Sequence, residues 1–191
     1  MPDQPNPARS FLFLLASARR DGNTEILARR AAAALPPADQ HRWIHLDDVP
    51  LAPFRDIRHG VSDIGTYPQP EGHERTLVEA TLACTDLVMA VPLYWYSVPA
   101  SAKLYLDYWS GWMRVPGLDF KKRMAGKRMW AFCAMSDEDR TAADPLVGTL
   151  KLSANYMGME WKGVLFGYGS RPGDVEQDQS ALAAAETFFG G

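Results

Sequence analysis

Short apolar runs alternate along the chain with longer stretches in which apolar positions return with helical period. The runs, at residues 11–16, 42–46, 86–91, 128–134 and 163–166, predict five strands. The longer stretches, at about residues 24–35, 74–84, 98–112, 145–157 and 175–189, predict five helices, one after each strand. This alternation is the signature of βαβ units built on a parallel sheet. Wound both ways from the first strand through right-handed crossovers, such a chain forms a three-layer α/β sandwich. Periodicity leaves the order of the strands open.

Two segments escape the pattern. Residues 1–9 carry three prolines among polar residues and have no period, so they read as a loose tail and the fold is expected to begin at Ser10. Residues 50–73 hold four prolines and three glycines; loops of that length are often lids or mobile functional segments. No internal repeat is visible, and 191 residues fit one domain. With 47% hydrophobic and 23% charged residues the chain is an ordinary globular one. Its formal net charge of −3 offers no basic field for nucleic acid or an anionic membrane. Cys84 and Cys133 lie in apolar segments, as buried thiols do in reduced, cytoplasmic proteins. Residues 11–16, followed by Ser17 and Ala18, imitate a signal peptide, but the run is short and Asp3 spoils a basic n-region, so a buried first strand explains it better. No run approaches the roughly 18 apolar residues of a membrane span.

The first strand leads directly into SARRDGNT, Ser17 to Thr24, and then into a helix. A strand-loop-helix turn aims backbone N–H groups and the positive end of the helix dipole at one place, where an anion can bind. Ser17, Asn23 and Thr24 add short hydrogen-bonding side chains, Gly22 permits close backbone approach, and Arg19 and Arg20 bring charge. A phosphate monoester, with about −1.5 to −2 charges and three acceptor oxygens, suits this set. The competing reading is that Asn23 or Thr24 only caps the helix and the arginines face water. The lysine pattern of a P-loop is missing.

A second constellation begins where the third strand leaves the sheet, at PLYWYSVPASAKLYLDYW, residues 92–109. Tyr94, Trp95 and Tyr96 are consecutive aromatics in what is predicted to be a turn, where polar residues are the norm. Rings there are either covered by a partner or wall a flat ligand. Ser97 is a plausible N-cap and Pro99 fits a first helical turn, so the backbone beside the rings is stiff. In the strand order 2-1-3-4-5 the first and third strands flank the point where winding reverses, and ligands of doubly wound sheets bind there. The competing reading is that the rings are core or dimer packing.

With both loops in view, the chain resembles the NAD(P)H-dependent FMN reductase and flavodoxin-like quinone reductase family. The similarity runs from Phe11 to about Asp174 and includes the SARRDGNT loop, PLYWYSVPASAK with Lys103 and Asp107, and GMEWKGVLFGYGSRPGD near the last strand. The resemblance implies a flavodoxin-like doubly wound five-stranded parallel sheet, order 2-1-3-4-5, with FMN bound. It implies that Ser17, Arg19, Asn23 and Thr24 meet the flavin phosphate, that Pro92, Leu93, Tyr94 and Trp95 contact the isoalloxazine, and that Ser136 is a further contact. Related iron-sulfur flavoproteins carry clustered cysteines between the second strand and second helix; residues 47–73 contain none, which excludes such a cluster. Many members have asparagine or glycine where this chain has Trp95 and Tyr96.

Several other patterns carry less. Gly167, Gly169 and Gly173 imitate a dinucleotide fingerprint, but only one helix follows, so they read as a turn that approaches the flavin or a partner subunit. His41, His45, His59 and His73 lack the spacing of a zinc site, and no metal is expected. Asp47 with Asp48, and Asp137 to Asp139, read as solvated carboxylates. On the third helix Leu104, Tyr105, Tyr108, Trp109 and Trp112 spread apolar surface over more than one stripe. That surplus predicts either a homodimer face or a cover formed by residues 113–120.

The expected function is an oxidoreductase in which NADPH or NADH gives a hydride to flavin N5 and electrons pass to a small acceptor such as a quinone, nitroaromatic, azo compound or flavin. The cofactor carries that chemistry, so no side chain is nominated as an essential acid or base. Tyr96 and residues 56–73 are candidate walls of the acceptor site. The alternatives are a flavodoxin-type electron carrier docking a protein, against which the modest charge argues, and a flavin-free regulatory or scaffold domain.

Overall fold

The computed structural model describes residues 8–57 and 67–190. Strands β1 (Ser10–Leu15), β2 (Gln40–His45), β3 (Asp86–Ala90), β4 (Arg128–Met135) and β5 (Glu160–Tyr168) form one sheet in the order β2-β1-β3-β4-β5. Every neighbouring pair is parallel. Successive side chains of a strand point to opposite faces, and here both faces are buried. Phe11, Phe13, Val88, Trp130 and Phe132 meet α1 (Asn23–Ala32) and α6 (Gln179–Ala185) on one side. Leu12, Leu14, Leu87, Met89, Met129 and Ala131 meet α2 (Gly72–Ala83), α3 (Ala100–Trp112), α4 (Phe120–Met124) and α5 (Asp144–Tyr156) on the other.

The structure departs from the sequence pattern where tertiary contacts outweigh it. β5 is longer than expected because it pairs with β4 from Arg128 to Met135, with Lys162 the extra residue of a bulge: Trp161 pairs with Met129 and Gly163 with Trp130, and Gly163 takes φ +108°. The predicted last helix breaks at Asp178, whose carboxylate accepts from the N–H of Ala181 at 3.0 Å and caps α6. Residues 174–177 and 188–190 are single 3₁₀ turns on either side. Most of the surplus aromatic surface of α3 is consumed inside the chain. Tyr105 and Trp112 are wholly buried, and the ring of Phe120 lies 5.9 Å from Trp109 and 5.3 Å from Trp112. Residues 113–120 therefore supply the cover of Trp109 and Trp112, while Leu104 and Tyr108 stay half-buried.

Arg9, expected in a loose tail, is held by the fold; residues 1–7 lie outside the described residues. Arg9 donates to both carboxylate oxygens of Asp86, at 3.1 and 2.5 Å, and to the carbonyl of Phe189 at 2.8 Å. The Asp86 side chain is fully buried and also accepts from Thr85, Arg128 and the Trp130 indole. Burial pushes its carboxyl up, yet the hydrogen bonds from Arg9, Thr85 and Trp130 outweigh burial and hold it below the usual carboxylate range. The cluster ties the chain start, β3, β4 and the C-terminal turn together at the edge of the sheet remote from the strand ends that matter below.

Asp86→Ala leaves two guanidinium groups and an indole N–H without their acceptor, and is expected to cost about 3–5 kcal/mol in urea unfolding. Because the folded carboxyl titrates below its unfolded value of about 3.9, its contribution is present above that pH and disappears as pH falls through the lower folded value. The stability gap between wild type and Asp86→Ala should therefore narrow on acidification.

Candidate functional site

Parallel strands deliver all their carboxyl ends to one edge of the sheet, and the winding reverses between β1 and β3. Leu15 of β1 lies beside Ala90 of β3, and Ala90 beside Phe132 of β4. The loops leaving these strands surround a cleft of about 210 Å³. Ser17, Arg19, Gly22, Asn23 and Thr24 line it from the first loop and Pro92, Leu93 and Tyr94 from the third strand's loop. Ala134, Met135 and Ser136 line it from the end of β4, and Gly169 and Ser170 from the segment after β5.

The first loop is built to leave donors free. Ser17 Oγ accepts from the N–H of Arg19 at 3.1 Å, and the Glu25 carboxylate accepts from the N–H of Asp21, which sits at φ +50°. Gly22 is the N-cap of α1, and no side chain caps that helix. The N–H groups of its first turn have no partner within the helix, and the dipole adds positive potential where they point. A Cβ on Gly22 would stand 3.4 Å from Ser17 Oγ, narrowing the approach to the loop backbone.

Three expectations for this loop change. Neither Asn23 nor Thr24 caps α1. The Asn23 side chain is buried and turned across the cleft, where Nδ2 donates to the Arg171 carbonyl at 2.9 Å and Oδ1 accepts from the Val175 N–H at 3.4 Å. Its amide thus has two partners within the chain while Asn23 still lines the cleft. Arg20 does not line the cleft: it points to the end of β2 and donates to Asp48 at 2.9 and 2.5 Å. That guanidinium, hydrogen-bonded to Asp48, holds the Asp48 carboxyl below its usual range. Arg19 stays on the cleft, with Nη1 donating to the Ser170 carbonyl at 3.1 Å.

The aromatic loop makes a tight turn. Tyr94 and Ser97 exchange hydrogen bonds of 3.2 and 3.1 Å, and the two residues between them, Trp95 and Tyr96, both take left-handed backbone, at φ +48° and +62°. This is the geometry of a two-residue turn that favours Asn-Gly, and bulky side chains adopt it at a cost. Trp95 is 93% exposed. Trp95 and Tyr96 border a second concavity, also of about 210 Å³, with Asp137 and Ala142 opposite. It shares Leu93, Met135 and Ser136 with the first, so the two adjoin. Ser97 does not cap α3; Pro99 is the N-cap residue and no side-chain bond closes that end.

Ala134, Met135 and Ser170 are lining residues that no motif marks, and they stand beside Gly169 of the turn expected to approach the flavin. Only the glycine-rich turn after the last strand and the rule that ligands gather beyond strand ends pointed toward them. Cys133 lies just beneath, but burial pushes its thiol up to about 12 and that of Cys84 to about 11, so neither supplies a thiolate. Among the described residues no group of three or more His, Cys, Asp or Glu side chains is placed to hold a metal ion. No helix among them is long and apolar enough to cross a membrane. Of the expected acceptor walls, residues 58–66 lie outside the described residues.

If left-handed backbone at Trp95 and Tyr96 is strained, Tyr96→Gly should stabilise the fold by about 1 kcal/mol, read as a rise in urea midpoint. A fall in midpoint would show that the Tyr96 ring contributes more than its backbone loses.

Comparison with known proteins bears on the whole chain. The flavodoxin-like fold family matches residues 9–188. YwqN of Bacillus subtilis (strain 168), provisionally named as an NAD(P)H-dependent FMN-containing oxidoreductase, is 33% identical over 168 residues, covering 87% of this chain and 89% of its own. The solved structure of a Trp repressor binding protein from Bacillus subtilis is 28% identical with a TM-score of 0.72, covering 93% of this chain and 96% of that one. An FMN-dependent NADH-azoreductase from Bacillus anthracis str. Ames Ancestor, solved in complex with FMN, is 15% identical with a TM-score of 0.64 over 93% of this chain and 96% of its own, which shows likeness of fold alone. With its sheet order, its layers and a family match over nearly its full length, this chain belongs to the flavodoxin-like fold family.

Proposed function

We propose that this protein is an FMN-dependent oxidoreductase that takes a hydride from NADPH or NADH and passes electrons to a small acceptor: a quinone, nitroaromatic, azo compound or flavin. One observation carries the reading. An uncapped helix N-terminus with an arginine beside it opens into a concavity rimmed by aromatic rings, at the point where the winding of the sheet reverses. The name of YwqN, which joins FMN to NAD(P)H, supports it.

The residues present fit the group. The phosphate end finds the first-turn N–H groups of α1, the Ser17 hydroxyl and Arg19, with no carboxylate among the residues that line that cleft. The ring end finds Leu93, Met135 and Ser136, shared by both concavities, with Trp95 and Tyr96 at the rim. In this reading Ser17, Arg19, Gly22 and Thr24 hold the phosphate, Pro92, Leu93, Tyr94, Trp95, Tyr96 and Ser136 border the ring system, Asn23 contributes its backbone, and Arg20 acts only through Asp48. When bound, the flavin supplies the hydride acceptor at N5. The chain's own tasks are to neutralise the phosphate, orient the ring and exclude water. Asp137 carries the one carboxylate lining the ring end, and its Oδ1 already accepts from the Asp139 N–H at 2.9 Å, so no acid or base role is assigned. The cytoplasmic, homodimeric state expected from the sequence belongs to the same proposal; the two buried thiols support the compartment, and the apolar surface left half-buried on α3 at Leu104 and Tyr108 supports the dimer.

The purified protein should be yellow or bind added FMN, and anaerobic NADPH or NADH should bleach it. Failure to bind FMN overturns the reading, and binding without bleaching by either nucleotide favours the electron carrier. Arg19→Ala should weaken FMN more than riboflavin, by roughly tenfold or more, since only FMN carries the phosphate. Equal losses for the two flavins would contradict the role of Arg19.

A further inference from the structure

We propose that residues 169–175, after β5, form a latch that fixes Arg19 for the flavin phosphate, with Asn23 as the positioning residue that holds the latch shut. This rests on the reading that the cleft takes FMN. The latch starts where the sheet ends: Gly169 donates its N–H to the Met135 carbonyl at 3.0 Å and carries the β4 edge one residue further. The chain can pass there only as glycine. A Cβ at 169 would stand 2.7 Å from Asn23 Nδ2, 2.8 Å from Asp174 Cβ and 3.0 Å from the Val175 nitrogen.

Asp174 then folds the segment back on itself. Its Oδ2 accepts from the N–H groups of Ser170, at 3.0 Å, and Arg171, at 2.7 Å. Those two N–H groups are thereby consumed, and they cannot serve as anion donors. The carbonyls of Ser170 and Arg171 turn toward α1 instead, where one accepts from Arg19 and the other from Asn23. A carbonyl repels a phosphate and holds a guanidinium. The segment therefore recognises the anion through Arg19. One guanidinium nitrogen is anchored at Ser170, which leaves the others to meet a phosphate oxygen in a geometry already set. An exposed arginine without that anchor would have to be ordered by the ligand at the ligand's expense in affinity.

Asn23 closes the device from the other side. It is the first residue of α1, so its buried amide ties the helix end that faces the phosphate to the segment that holds the arginine, donating to Arg171 and accepting from Val175. An aspartate there would lose the donor, and an alanine both bonds.

The test is flavin binding by the deflavinated full chain, followed by fluorescence with FMN and with riboflavin, for wild type, Arg19→Ala, Asn23→Ala and the double variant. Asn23→Ala should raise the FMN Kd about tenfold while moving riboflavin less than about twofold, and the double variant should discriminate no worse than Arg19→Ala alone. Should Asn23→Ala fail to fold, Gly169→Ala, whose Cβ would push the segment and the Asn23 amide apart, should give the same loss of FMN preference. Equal loss of both flavins, or losses that multiply in the double variant, would overturn the latch, because a structural asparagine acts without Arg19. Retained preference for FMN in Asn23→Ala and Gly169→Ala also overturns it. Wild-type protein that binds neither flavin overturns the FMN reading itself, and this inference with it.

Discussion

A parallel sheet buried on both faces is the constraint from which the rest of this molecule follows. Parallel strands need crossovers, right-handed crossovers put the covering helices on alternate faces according to the direction of winding, and every strand then exits at the same edge. Here the winding reverses between β1 and β3. At that reversal the loops after neighbouring strands depart to opposite faces and leave a cleft that no side chain of the core fills. The opposite edge carries the fastening: Asp86, with Arg9 and Arg128 around it, joins segments that no strand pairing connects.

That division lets the site edge depart from local preference. Trp95 and Tyr96 take backbone that suits asparagine and glycine, and Trp95 stands almost wholly in solvent. Both features cost stability, and both sit on the loop that lines both concavities. Strain of this kind persists where the surroundings over-determine it. Here the reciprocal Tyr94 and Ser97 hydrogen bonds and the buried Val98 and Pro99 do so. The arrangement keeps an aromatic rim standing beside the cleft instead of collapsing into it.

The two constellations recognised in the sequence are joined by a third wall that neither motif announces. Gly169 and Ser170 complete the cleft, and the Asn23 amide locks them there. Asparagine in a strand-loop-helix turn is read as a cap or a ligand because its short amide suits both roles. Here it does not cap α1, and its amide meets Arg171 and Val175, partners that arrive from the far end of the chain. The pairing of Arg20 is hidden for a related reason: residue type shows that it is a cation but not that Asp48, in the turn after β2, lies within reach.

The sequence by itself determined the α/β class, the five strands, the phosphate-type loop and the aromatic turn. These depend on period and residue type over a few neighbouring positions, which is the range over which backbone geometry is decided. Only the tertiary structure decided that the α3 rings are covered by Phe120, that the last helix stops at Asp178, which arginine faces the cleft and what Asn23 holds. Asn23 and Arg171 stand 148 positions apart. A pairing at that separation is set by the packing of the sheet and its helices, and leaves no period in the chain to be read.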